Sequence, residues 1–323
     1  MLQRRCLFAA ALLIQAAALA QPYPAKPIRI IVPYPVGSGT EFTAREVGQL
    51  IARATGQPVV IDARPGAAAV LGHSLGAKAQ PDGYTLLLAT IGGLVTGPAL
   101  LGKQIPYDPQ KDFAPIGLAT YVPYALAVTG SLPVRNVKEL IELAKAQPGK
   151  LNVASPGVGS PNHLGAAQLM TLTGVEIVHV PYKGSSLALT DFVAGNVQIL
   201  ITRLLQLLPY HNAGKIRVLG VGHTQRLKTY PDIPTVAETI PGYYNTGWWG
   251  IAGPAATPKP VIDKISAIML AGLAQPEVIQ RFEKSGLEIA SSSPQGLREL
   301  IASDLTMWKK IIRDARISVD VLP

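Results

Sequence analysis

The chain is short of cysteine, of aromatic residues and of charge, and each shortage removes a class of protein. Cys6 is the only cysteine in 323 residues, so a disulfide framework is excluded and zinc cannot be held by thiolates. Aromatic residues amount to 6%, and although the formal net charge is +9, Lys and Arg stand singly apart from Lys309-Lys310 in the body of the chain. Nucleic-acid and anionic-membrane surfaces need such residues in clusters; a small anionic ligand suits a scattered positive balance better. The five histidines, His73, His163, His179, His211 and His223, never fall at H-x-x-x-H or H-E-x-x-H spacing, so neither a metal site nor a cofactor is expected. Gly37-Ser38-Gly39 is followed by Phe42 where a dinucleotide fingerprint needs its third glycine, and the P-loop signature does not occur. Nucleotide binding is weakly supported.

What is present is a globular composition, 48% hydrophobic and 15% charged, enough for two cores. The first twenty residues, "MLQRRCLFAAALLIQAAALA", combine a basic start at Arg4 and Arg5 with an apolar stretch and an Ala18-Leu19-Ala20 end. This is the pattern of a secretory signal peptide over 1–20, and the stretch is short for a membrane span. Its removal would take away Arg4, Arg5 and Cys6, lowering the net charge from +9 to +7 and leaving a secreted chain without cysteine.

Beyond it, β-branched runs alternate with amphipathic stretches. "IRIIVPYP", "PVVIDARP" and "YTLLLAT" read as strands, and "TEFTAREVGQLIARAT" reads as a helix burying Val47, Leu50, Ile51 and Ala54. The order is βαβ, which implies a parallel sheet covered by helices. It recurs: "YALAVTGS", a helix opened by Asn136 with Glu139 in capping-box spacing, "LNVASPG", a helix over 161–173, "EIVHVPYKG", a helix ending at Gly195, then "VQILIT" and "IRVLGVG". After Arg226 the Pro- and Gly-rich texture predicts an extended crossing segment, followed by helices near 261–274, 276–285 and 294–315. The expected fold is α/β with two lobes, each a mainly parallel sheet flanked by helices, and a ligand cleft between them. Residues 21–123 and 246–323 would form lobe 1, and 124–245 lobe 2.

Two loops share a context. "IVPYPVGSGTEF" and "LNVASPGVGSPNHL" both run strand, Pro, Val-Gly-Ser, helix. In each, glycines permit backbone closed to other residues and a serine, Ser38 or Ser160, takes the N-cap position. First-turn N–H groups lack intrahelical partners and sit at the positive end of the helix dipole, so such ends attract anions. Either loop could equally just start a helix, since Ser38 with Glu41 has capping-box spacing and Ser160-Pro161 is an ordinary N-cap and N1 pair. A secreted hydrolase or isomerase using Ser160 and His163 is the alternative, His163 lying in the first turn after Ser160.

Across nearly all of the chain beyond residue 20 the sequence resembles the periplasmic substrate-binding receptors of tripartite tricarboxylate transporters, the Bug-type receptors. The matching stretches include "YPAKPIRIIVPYPVGSGTEFTAR", "RPGAAAVLG", "PDGYTLLLAT", "YDPQKDFAPI", "HVPYKGSSLAL", "PDIPTVAE" and "WWGIAGPAATP". The resemblance implies a non-enzymatic, monomeric receptor that closes by a hinge on a small carboxylate, dicarboxylate or aromatic, and presents it to membrane permease subunits. A sensory role toward a membrane kinase would look the same. Family members usually read Pro-Pro-Gly-Gly with an Asp three positions later in the first loop, whereas this chain has Pro35-Val36-Gly37-Ser38 and Glu41; they often carry Asp or Asn where Arg203 follows Thr202. Arg203, able to hold a carboxylate bidentately, is therefore the residue expected to set specificity; a surface Arg paired with a neighbouring acid is the plainer reading. By position the resemblance adds Tyr34, Pro35, Gly37, Ser38, Gly39, Thr40, Glu41, Ala67 and Thr90 from the first lobe. Ser155, Gly157, Gly159, Ser160, His163, Tyr182 and Lys183 come from the second. Tyr182 and Trp248 would serve a core or hinge equally well.

Overall fold

The computed structural model describes residues 23–66 and 69–318. The expected signal peptide and Ala67 lie outside the described residues. The first α/β unit consists of β1 (Ile28–Val32), α1 (Gly39–Thr55), β2 (Val59–Ala63), α2 (Val70–Ala77) and β3 (Thr85–Thr90). β1 runs parallel to both β2 and β3, with Ile30 opposite Ile61 and Leu86, and only Arg29 in it is exposed. Near-continuous burial is what a parallel strand covered on both faces requires. α1 turns Ala44, Val47 and Ile51 to the core. Ala54, expected on that face, is exposed, because it lies in the last turn beside the left-handed cap Gly56, where the chain returns to the surface.

A π-turn over Gly92–Thr96 and α3 (Gly97–Leu101) lead to β4 (Phe113–Thr129), a strand of 17 residues. Its first part is missed by the sequence reading, since Pro115 and Pro123 argue against a central strand. The prolines are accommodated where the pairing breaks: the register with β9 (Thr246–Pro254) shifts between Pro115 and Gly117, and Pro123, opposite Thr246, is the last residue of β4 to pair with β9. From Tyr124 onward β4 has other neighbours, β7 (Ile199–Arg203) and β8 (Ile216–Val221), both antiparallel.

The second α/β unit holds α4 (Val137–Ala146), β5 (Asn152–Ser155), α5 (Pro161–Thr173), β6 (Val178–Pro181), α6 (Ser185–Ala194), β7, α7 (Leu204–Asn212) and β8, with β5 parallel to β6 and β7. α4 is capped by Asn136, whose side chain accepts from Glu139 N. The segment before β9, expected to be extended, instead runs through tight turns, with Tyr230 N donating to Leu227 O and Ile233 N to Tyr230 O, and a short helical turn at Val236–Glu238 closed by a capping box from Thr235. α8 (Lys259–Leu273), α9 (Pro276–Lys284), the short β10 (Glu288–Ile289) beside β4, and α10 (Pro294–Asp314) complete the chain. The strand order is β2-β1-β3-β9-β4-β7-β5-β6. Each parallel trio is thus extended by antiparallel strands, and β4 and β9 carry the chain between them. Among the described residues no helix is long and apolar enough to cross a membrane.

Candidate functional site

The first Gly-Ser turn follows β1. Gly37 has φ +82, left-handed backbone that favours glycine. Ser38 Oγ donates to Pro35 O at 2.7 Å and accepts from Glu41 N at 3.4 Å, capping α1, with Thr40 Oγ1 2.6 Å away. The Glu41 carboxylate reaches back to accept from Gly37 N and from Arg45. Those partners, the Gly37 N–H first, hold its carboxyl below the usual range. Gly39 answers a different need: a Cβ there would come within 2.9 Å of the Trp249 ring, so the indole packs directly on the start of α1.

The second turn is built alike, with Gly159 at φ +77. Ser160 Oγ donates to Gly157 O at 2.7 Å and accepts from His163 N at 3.3 Å, capping α5. His163 Nδ1 accepts from Gly159 N at 3.1 Å. The hydroxyl and the imidazole therefore serve backbone groups and not each other, so Ser160 and His163 lack the nucleophile–base bond that the enzymatic alternative needs. The His163 ring stacks on His179 at 3.9 Å, and His179 Nε2 lies 2.6 Å from Ser155 Oγ. Burial, then the second imidazole, pushes the His163 pKa down to about 4. Sequence reasoning missed this cluster because His163, His179 and Ser155 meet only through the parallel register that sets Val153 beside His179. Ser155 is fully covered and its hydroxyl also bonds Gly157, so it ties the loop together.

One motif escapes the sequence reading: Gly72-His73-Ser74-Leu75-Gly76 fits G-x-S-x-G. It lies inside α2 and not at a strand-to-helix turn, where a nucleophile elbow must sit. His73 is fully buried, bonds Ala69 O at 2.8 Å and has its pKa pushed by burial down to about 4.

A cleft with a volume of about 90 Å³, partly open to solvent, lies between the two units. Tyr34, Ser38, Gly39 and Thr40 border it from the first turn, and Thr90, Ile91 and Gly92 from the end of β3. β4 contributes Val122 and Tyr124, β9 contributes Gly247 and Trp249, and the second unit contributes Pro161 and Arg203. The starts of α1 and α5 thus face one space. Pro161 brings no N–H, so Gly39 and Thr40 of α1 are the nearer backbone donors.

Of the residues expected from sequence, Tyr34, Ser38, Gly39, Thr40, Thr90 and Arg203 come together here. The other described ones stand back from the lining. Pro35 and Gly37 form the exposed turn, Glu41 is held by Gly37 and Arg45, and Ser155, Gly157, Gly159, Ser160 and His163 bond among themselves and His179. Tyr182 donates to Asp191 Oδ2 at 2.8 Å, which turns it to α6, and Lys183 is exposed beside it. Trp249, Tyr124 and Val122 were missed, since the pairing of β4 with β9 joins segments far apart in sequence.

Arg203 is the single charged side chain in the described lining, which contains no acid. It pairs in register with Tyr124, and it enters none of the ion pairs among the described residues. Burial raises the Tyr34 pKa; the Thr90 hydroxyl and the nearby Arg203 charge offset it in part. Tyr34 therefore stays a neutral phenol. An electropositive, acid-free cleft of this volume matches a small anion and is too small for a macromolecule.

Two α/β units joined by crossing strands, with a cleft bordered by a helix start from each, define the two-lobed fold of the periplasmic binding proteins. Residues 43–317 match the tripartite tricarboxylate transporter family receptor model, and the chain belongs to that family. It is 31% identical to the protein BugT of Bordetella pertussis, over 93% of each chain. Among solved structures it is similar to an R. palustris protein with adipate, at 33% identity and TM-score 0.76, covering 92% of this chain and 99% of that one. It is likewise similar to MatC from Rhodopseudomonas palustris with bound malate, at 28% identity and TM-score 0.72, covering 90% and 100%.

Proposed function

We propose that the protein is a periplasmic solute receptor that takes a small carboxylate into the cleft between its lobes and delivers it to membrane permease subunits. The observation that carries the reading is the cleft itself: Arg203 is its lone charged side chain, facing the start of α1 across a described lining without acids. A guanidinium matches a carboxylate in a bidentate pair, and first-turn N–H groups add the field of the helix end. Adipate and malate in the two related structures are small carboxylates of this kind. The lobes are assigned as 21–123 with 246–323, and 124–245. The exchange of partners by β4 at Pro123 and Tyr124, opposite Thr246, supports a hinge there.

The reading excludes turnover, because cargo must be released unchanged. Thermal melting of the protein with small carboxylates and their neutral amides tests it. A carboxylate-dependent rise in Tm, absent with the amides, is expected; micromolar affinity corresponds to about −8 kcal/mol, which such contacts can supply after the cost of closure. Consumption of the acid, or equal shifts with the amides, would overturn it.

A further inference from the structure

We infer that the acid bound in this cleft has a flat, apolar body, a benzoate-type carboxylate in preference to an amino acid or a hydroxy acid; the inference rests on the carboxylate reading above. The first support is the walls. The Trp249 indole lies against the start of α1, where a Cβ on Gly39 would come within 2.9 Å of it, and the Tyr34 hydroxyl lies where a Cβ on Gly92 would come within 2.7 Å. Two glycines thus let two rings close on the cleft, and Tyr124 adds a third. Ring faces accept flat apolar bodies by stacking and lose little side-chain freedom in doing so.

The second support is what the described lining does not offer. It holds no Asp, Glu, Asn, Gln or His, so an α-ammonium group would enter without a counter-charge. The aliphatic hydroxyls are already engaged: Ser38 and Thr40 lie 2.6 Å apart, Ser38 Oγ donates to Pro35 O, and Thr90 Oγ1 accepts from Gly93 N at 3.2 Å. An ammonium shut into such a space meets no counter-charge, and a ligand hydroxyl meets no carboxylate, amide or imidazole side chain, which is costly. Tyr34 feels the charge of Arg203, and Tyr124 stands opposite Arg203 in the strand register, so both phenols lie on the Arg203 side of the cleft. There they serve the carboxylate that its planar guanidinium holds.

Calorimetry of the intact protein against benzoate, adipate, malate and aspartate tests this. Benzoate is expected to bind at least about ten-fold tighter than malate or aspartate, the loss an unpaired buried polar group brings, and to change the tryptophan fluorescence. The preference over adipate should disappear in Trp249→Leu, with adipate affinity kept; should that variant fail to fold, Tyr34→Leu carries the same comparison. Malate, aspartate or adipate binding as tightly as benzoate to the wild type, or a preference unchanged in the variant, overturns the inference while leaving the carboxylate reading intact. If none of the four acids binds, the carboxylate reading itself falls.

Discussion

Trp248 donates its indole N–H to Asp304 Oδ2 at 2.8 Å, joining β9 to α10 on the opposite side of the crossing strands from α1. Both side chains are buried. Burial drives the Asp304 carboxyl up to about 7, and the indole N–H only partly offsets this. Tyr121 and Tyr244 flank the acid and feel its charge.

A pH effect follows with a definite sign. An unfolded Asp ionises near pH 4, whereas Asp304 keeps its proton in the fold up to about pH 7. Its contribution to stability is therefore lost as pH rises between those values, by about 4 kcal/mol at most, at about 1.4 kcal/mol per unit. His73 and His163, buried neutral with pKa values near 4, act oppositely, losing stability as pH falls from 6.5 to about 4. The difference between wild type and Asp304→Asn isolates the carboxyl. In urea titrations the variant is expected to match wild type near pH 4 and exceed it at pH 8; a gap independent of pH would refute the assignment.

Arg203→Ala is expected to weaken carboxylate binding by about 2 to 5 kcal/mol where the contact is desolvated. Its Tm should not change, since Arg203 is exposed and outside the ion pairs among the described residues. Arg203→Lys should recover part of the affinity, because the charge remains and the planar fork is lost. Isothermal calorimetry reads all three, and unchanged affinity in the alanine variant removes Arg203 from the site.

Gly39→Ala places a methyl 2.9 Å from the Trp249 ring. Overpacking of this kind costs about 1 to 3 kcal/mol, here with loss of ligand affinity, because the ring is part of the cleft wall. Smaller residues at 249 should relieve the clash, so the double variant Gly39→Ala with Trp249→Leu is expected to couple non-additively in a double-mutant cycle. Additive effects would show that the two do not touch.

Ser160→Ala removes a helix cap and should cost about 1 kcal/mol of stability. No hydrolysis of carboxylate esters is expected before or after the change, as Ser160 Oγ donates to Gly157 O and not to an imidazole. Esterase activity in the wild type that vanishes in the variant would restore the enzymatic alternative.

Both Gly-Ser turns were legible because their signals are local. Ser38 and Ser160 cap the helices that their spacing predicts, and α5 runs from Pro161 to Thr173 as read from its cap and its closing Gly174. The first half of β4 was not legible. Its two prolines are tolerated only because the partner strand shifts register beside one and ends its pairing at the other, and a partner strand is not visible in a local window. Arg203 could be singled out as unusual at a strand end, but its freedom from an acid partner could not.

Periodicity, caps and turn chemistry act over a few residues, so the amino-acid sequence alone determined the alternation of strands and helices, the two serine-capped helix starts and the family. Which side chains meet was decided by strand pairing and by packing between separate elements of the chain: Trp249 against Gly39, Tyr124 opposite Arg203, His179 over His163. Contacts of that range depend on burying apolar surface over the whole fold, and that free energy belongs to no single stretch of chain.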